Sequence, residues 1–103
     1  MLGFVRIWHG VTRRSVADEC EKFLIERAVP DYESVPGLRK AVFTRRDEGE
    51  VFHFLLITIW DSIEAMECFT GRDPWKAKYY PEDGQYLLEK EEHAQIYKIF
   101  YES

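Results

Sequence analysis

The stretch from Val51 to Trp60 has no polar side, and this constrains the fold more than any other feature of the chain. Read as a strand, it sends Phe52, Phe54, Leu56, Thr58 and Trp60 to one face and Val51, His53, Leu55, Ile57 and Ile59 to the other. A sheet covered on one side only alternates apolar and polar residues; here both faces ask to be covered. Fully burying a large apolar side chain is worth roughly 1.5–3 kcal/mol. Leaving four or five of them in water on one face forfeits on the order of 10 kcal/mol, about the net stability of a whole domain. Helices account for one cover, and a second copy of the chain is the simplest candidate for the other. The expectation is a homodimer with its sheets packed face to face.

The rest of the chain supplies partners for this strand. Phe4 to His9 is β-branched and aromatic and reads as a first strand, ended by Gly10. Ser15-Val16-Ala17-Asp18 has the form of a capping box, and Val16, Cys20, Phe23, Leu24 and Ala28 recur at helical spacing after it. Pro30 should kink or end that helix, and Pro36-Gly37 marks a turn. Leu38 to Thr44 reads as a second strand, joined to Val51–Trp60 by a hairpin loop in which Gly49 is free to take positive φ. Asp61 or Ser62 caps a short helix that turns Ile63, Met66 and Phe69 inward and stops at Gly71. Asp73-Pro74 predicts a restarted helix over 74–80, followed by a helical piece through Leu87 and Leu88, and Ala94 to Tyr101 predicts the last strand.

The order β-α-β-β-α-β is the ferredoxin-like split pattern of an α+β protein. The expected architecture is a single domain over residues 1–103, with a four-stranded antiparallel sheet and helices on one face. The first and third strands are expected to lie side by side and parallel.

Composition narrows the function. Three Trp, six Tyr and seven Phe in 103 residues belong to a globular chain, not a disordered one. Fourteen Lys and Arg against nineteen Asp and Glu leave a net charge of −5, which argues against nucleic-acid binding, since that depends on cationic surface. No apolar run approaches the roughly 20 residues that cross a bilayer, and the N-terminus lacks the pattern of a secretion signal. Cys20 and Cys68 read as free thiols, so a soluble cytoplasmic protein is expected.

Several short motifs resemble the antibiotic biosynthesis monooxygenase-like proteins. The core of the likeness is Thr58-Ile59-Trp60-Asp61-Ser62-Ile63-Glu64-Ala65. Arg6-Ile7-Trp8-His9-Gly10, Val35-Pro36-Gly37 and Tyr79-Tyr80-Pro81-Glu82-Asp83 support it. The resemblance implies a dimeric α/β barrel with a ligand cavity inside each subunit, between sheet and helices. Members include cofactor-free oxygenases that turn phenolic polyketides into quinones, and haem-degrading enzymes. Trp60 matches a cavity tryptophan of the quinone-forming members, whereas their strand asparagine is Leu56 here and their helix tyrosine is Met66. The asparagine, tryptophan and histidine of the haem degraders match Ile7 or Trp8, Phe69 and Tyr79, so the iron ligand is missing and haem degradation is not expected.

No metal or nucleotide cofactor is expected. His9, His53 and His93 stand about forty residues apart, neither Cys is in a Cys-x-x-Cys pair, and there is no Gly-rich phosphate loop. His9 is the candidate catalytic base: if Ile7 points into the cavity, so does His9, beside Trp60 as an aromatic platform. In the other register Arg6 and Trp8 face inward and His9 drops out. His53 has the parity of the opposite face. Trp75, Tyr79 and Tyr80 either roof the cavity or belong to the core. The candidate ligand wall is therefore Ile7, Trp8, Leu56, Trp60, Met66, Phe69, Trp75 and Tyr79. Two functions follow as expectations. One is cofactor-independent oxidation by O₂ of a small aromatic or polyketide-like compound. The other is a dimeric binding or accessory protein that holds an apolar or aromatic small molecule without turnover.

Overall fold

A two-residue turn sets the direction of the central strands. In the computed structural model, which describes residues 2–103, five strands form: β1 (Phe4–Arg13), β2 (Leu38–Glu48), β3 (Val51–Trp60), β4 (Leu87–Glu89) and β5 (Gln95–Lys98). Only Gly49 and Glu50 separate β2 from β3, and Gly49 takes φ +70°, as a tight hairpin needs. β2 and β3 therefore pair antiparallel along their length. β1 is antiparallel to β3 as well, with Phe4 opposite Trp60 and His9 opposite Leu55. The expected parallel pairing of the first and third strands is thus corrected. The crossover from β1 leads to β2, which parallels β1 with the antiparallel β3 between them.

The sheet runs β2-β3-β1-β4, with β5 also on β1. Both late strands pair with β1: β5 with Phe4 to Ile7, β4 with Val11 and Thr12. This is an α+β protein with a five-stranded antiparallel sheet, compatible with a ferredoxin-like arrangement. Among the described residues no helix is long and apolar enough to cross a membrane.

The helical layer begins with α1 (Ala17–Phe23), runs through a π-helical stretch (Leu24–Ala28) and ends with α2 (Val29–Glu33). Pro30 neither ends nor sharply interrupts this run. The residue four before it, Glu26, lies in the π stretch, where the backbone pairing is already altered. The capping box expected at Ser15 does not form: Arg14–Val16 is a 3-10 turn, and Val16 opens α1 without a side-chain cap. At α3 (Ile63–Thr70) the cap is made as expected, with the Ala65 N–H donating to Ser62 Oγ at 3.1 Å.

Residues 71–86 form a strap across the helical side instead of the helix expected over 74–80. Its backbone groups pair across the molecule and not along a helix: Pro74 and Lys76 carbonyls accept from Arg6, and Lys76 bridges His93. Leu87 and Leu88, expected to be helical, belong to β4. The last strand is shorter than Ala94–Tyr101, and Phe100 and Tyr101 are exposed.

On β3 the face toward the helices buries Phe54, Leu56, Thr58 and Trp60. The core joins them to Trp8, Leu24, Tyr32, Met66 and Phe69. The opposite face carries half-buried Val5, Ile7, Ile57 and Ile59, with Val42, Leu55 and Tyr97 exposed among them.

Candidate functional site

Strand parity settles which residues of β1 meet the helices. Arg6 and Trp8 are 1% and 4% exposed and lie on the face of Leu56 and Trp60. Ile7 and His9 lie on the other face, so the second of the two registers left open by the sequence is the one observed. The antiparallel pairing also separates His9 from Trp60 along the strands, since Trp60 sits opposite Phe4. The geometry that would have set His9 beside Trp60 in one cavity is therefore absent.

His9 instead belongs to a polar chain on the outer face. Its Nδ1 is 2.5 Å from Glu91 Oε2, and its Nε2 is 2.9 Å from His53 Nδ1. His53 Nε2 lies 3.3 Å from Glu48 Oε1, and the two imidazoles stack at 13°. All four ring nitrogens are engaged by protein groups, which leaves neither histidine a free lone pair for a ligand.

The concave features of the inner face lie between sheet and helices. An open groove of about 270 Å³ separates the helix from β2, floored by Phe43 and Phe54 and flanked by Leu24, Ile25 and Arg45. Arg45 is engaged there by Asp18 and Glu21 at 3.0 and 2.9 Å. Leu24 also lines a deeper void of about 10 Å³, room for about one water. Trp8, Tyr32, Leu56 and Phe69 supply its aromatic and apolar wall, and Lys78, Tyr80 and Asp83 its polar one. Leu24 and Ala28 bracket the π stretch, so that departure from α-helical geometry sits against the void.

Of the ligand wall expected from sequence, Trp8, Leu56 and Phe69 line this void. Trp60 and Met66 are fully buried beside it, and the Trp60 indole donates to Thr58 Oγ1 at 2.8 Å. Tyr79 packs edge-on against Trp8 and gives its hydroxyl to the Glu91 carbonyl at 2.5 Å. Burial pushes its phenol up to about 12. Trp75 is 44% exposed and lies outside the wall, as does Ile7.

Tyr80, which the sequence offered as a roof of the cavity, lines the void together with polar groups that were not legible in the sequence. Asp83, 4% exposed, accepts the Tyr80 N–H at 2.6 Å, and desolvation holds its carboxyl above the usual aspartate range. Asp31 Oδ2 receives Lys78 Nζ at 2.9 Å and the Tyr80 hydroxyl at 2.6 Å. Lys78 and Tyr80 line both the void and an outer depression that contains Arg27 and Asp31, so this cluster forms the partition between them. Burial and the Asp31 carboxylate both push the Tyr80 phenol up. Cys20, 2% exposed, is raised to about 12 by burial, which keeps it a thiol.

Arg6 is the least expected component. Nε donates to the Pro74 carbonyl at 3.1 Å and Nη2 to the Lys76 carbonyl at 3.0 Å. Nη1 has no hydrogen-bond partner among the described residues, and neither has the Trp8 indole nitrogen. Among the described residues no group of three or more His, Cys, Asp or Glu side chains is placed to hold a metal ion. Compared with known proteins, the chain matches no family model and no curated protein.

Proposed function

We propose that this chain is a dimeric binding protein for a small planar apolar or aromatic molecule, held between the helices and the inner sheet face. The observation that carries the reading is the groove of about 270 Å³ that meets the aromatic void at Leu24. A bound ring that displaced Leu24 would pass from Phe43 and Phe54 to Trp8 and Phe69. The dimer rests on the outer face, where Val42, Leu55 and Tyr97 are exposed beside Val5, Ile7, Ile57 and Ile59. Face-to-face sheets would give the dimeric α/β barrel that the resemblance to the monooxygenase-like proteins implies.

An oxidising form of the same reading draws on Asp83. This carboxyl lines the void, and desolvation raises it, which makes its carboxylate a stronger base toward a weakly acidic ring. It takes the role that the sequence suggested for His9. After Asp83 accepts that proton, the ring carbanion would add to O₂ without metal or flavin, and the resulting peroxide would take the proton back from Asp83 and lose water, leaving a quinone-type carbonyl.

The test is a thermal-shift and tryptophan-fluorescence titration against planar aromatic compounds, followed by an oxygen-electrode assay with hydroxyanthrone-type substrates. Saturable quenching that Leu24→Trp abolishes supports the binding reading. Oxygen uptake lost in Asp83→Asn supports the oxidising form. A compound set that neither quenches nor stabilises at millimolar concentration contradicts both.

A further inference from the structure

Arg6 is a fully buried cation that makes no ion pair among the described residues, and its Nε and Nη2 hydrogen bonds go to neutral carbonyls. Removing a charge from water is costly unless an opposite charge meets it. Two residues along β1, on the same face, Trp8 buries an indole N–H that likewise has no partner. Side chains so spaced stand about 6–7 Å apart at the backbone, the span of a small acid group between two donors. Trp8 borders the aromatic chamber directly, and Arg6 stands behind its wall, against Phe69. Trp8 lines the void, and the Arg6 guanidinium lies 5.8 Å from the centroid of the Phe69 ring, which also lines it. Burial raises the Tyr32 phenol, another wall group, and Arg6, close enough to act on it by charge and as a donor, partly offsets that rise. The other cation of the site, half-buried Lys78, is already paired with Asp31. Arg6 therefore carries the uncompensated charge.

We infer that the ligand of this chamber is an anion: a planar ring bearing a carboxylate or phenolate oxygen that is received by Arg6 Nη1 and the Trp8 indole N–H. The inference rests on the binding reading above and adds the charge and orientation of the ligand, with the ring on Phe69 and the oxyanion toward β1. Hydrogen bonds to a charged group are the strong ones, so the charge is expected to dominate affinity.

The experiment is calorimetric titration of the full chain at neutral pH with two matched pairs. 2-Naphthoate is set against 2-naphthamide, and 4-nitrophenolate against 4-nitroanisole. The anion of at least one pair is expected to bind about 10- to 100-fold more tightly than its neutral partner, and the pair that shows it identifies the acid group. Because Arg6 also ties the strap, its replacement puts folding at risk, so the ratio in the unaltered chain is the primary readout. Trp8→Phe, which keeps an aromatic wall, should lower that ratio several-fold. Equal binding of anion and neutral in both pairs overturns the charge assignment and leaves the binding reading standing. Binding of neither member of either pair removes the inference together with that reading.

Discussion

Tyr80 and Asp31, far apart in sequence, meet through a 2.6 Å hydrogen bond that holds the strap to the end of the helical run. Lys78 adds a second bond to the same Asp31 oxygen. Desolvation tends to raise the Asp31 carboxyl, but hydrogen bonds from Tyr80 and Lys78 outweigh it and hold the group below its ordinary value. A carboxylate so depressed stabilises the fold fully above the ordinary aspartate range near 4, and that contribution is lost as pH falls through the lowered value. Both ion-pair partners are about one-third exposed, so solvent screening limits the effect. Asp31→Asn is expected to cost about 1 kcal/mol in urea unfolding at neutral pH, with the gap to the unaltered chain closing in acid. Amide exchange over residues 71–86 should quicken in the same variant.

Asp83 has the opposite sign. Its carboxyl is raised, chiefly by desolvation, so the folded state binds a proton more tightly than the unfolded one. Stability from this group is present in acid and declines as pH rises from about 4 through the raised value. Asp83→Asn keeps an oxygen for the Tyr80 N–H and removes the charge. Its stability relative to the unaltered chain should therefore improve as pH rises from about 4 through the raised value, measured by the urea midpoint. A difference that is flat with pH would contradict the buried, desolvated placement.

Gly10 leaves space that the Trp8 indole occupies. A Cβ built there would stand 2.5 Å from the Trp8 ring and 3.0 Å from the Leu87 side chain. The Trp8 ring is a buried core wall, so it cannot swing aside freely. Gly10→Ala is expected to cost roughly 1–3 kcal/mol and to shift the tryptophan emission, which thermal melts and fluorescence spectra will read.

The outer face gives a prediction about assembly. Leu55 is exposed between His9 on β1 and Thr44 on β2, and Val42 lies on the same face, opposite Ile57. Under the dimer reading, Leu55→Lys places an ammonium group in the interface and dissociates the assembly, while a lone chain tolerates it. Sedimentation velocity at micromolar concentration is expected to show a dimer that the substitution converts to monomer. A monomer before substitution would contradict the dimer.

Much of the fold was legible because it is encoded locally. The period-2 pattern of Val51–Trp60 gave the strand and its two faces, and Ser62 followed by inward Met66 and Phe69 gave the capped helix. The strap was not legible, because Trp75, Tyr79 and Tyr80 have helical spacing while the backbone at Pro74, Lys76 and Ala77 is held from outside by Arg6, His93 and Glu92. The same long-range contacts hid the site. Arg6 is buried where it donates to the carbonyls of Pro74 and Lys76, about seventy residues away in the chain. His9 was misplaced relative to Trp60 for a topological reason: the helical crossover makes β1 parallel to β2 and not to its immediate neighbour β3. Trp8, Leu56 and Phe69, expected as a ligand wall, do line the observed chamber.

The central claim is that a ring enters between helices and sheet, and a crystal structure of the chain with 2-naphthoate tests it most directly. The account predicts the naphthalene ring against Phe69 and Trp8, Leu24 displaced, and the carboxylate within hydrogen-bond distance of Arg6 Nη1. Naphthoate bound only elsewhere, with Leu24, Trp8 and Phe69 still closed around a void of about 10 Å³, would contradict it.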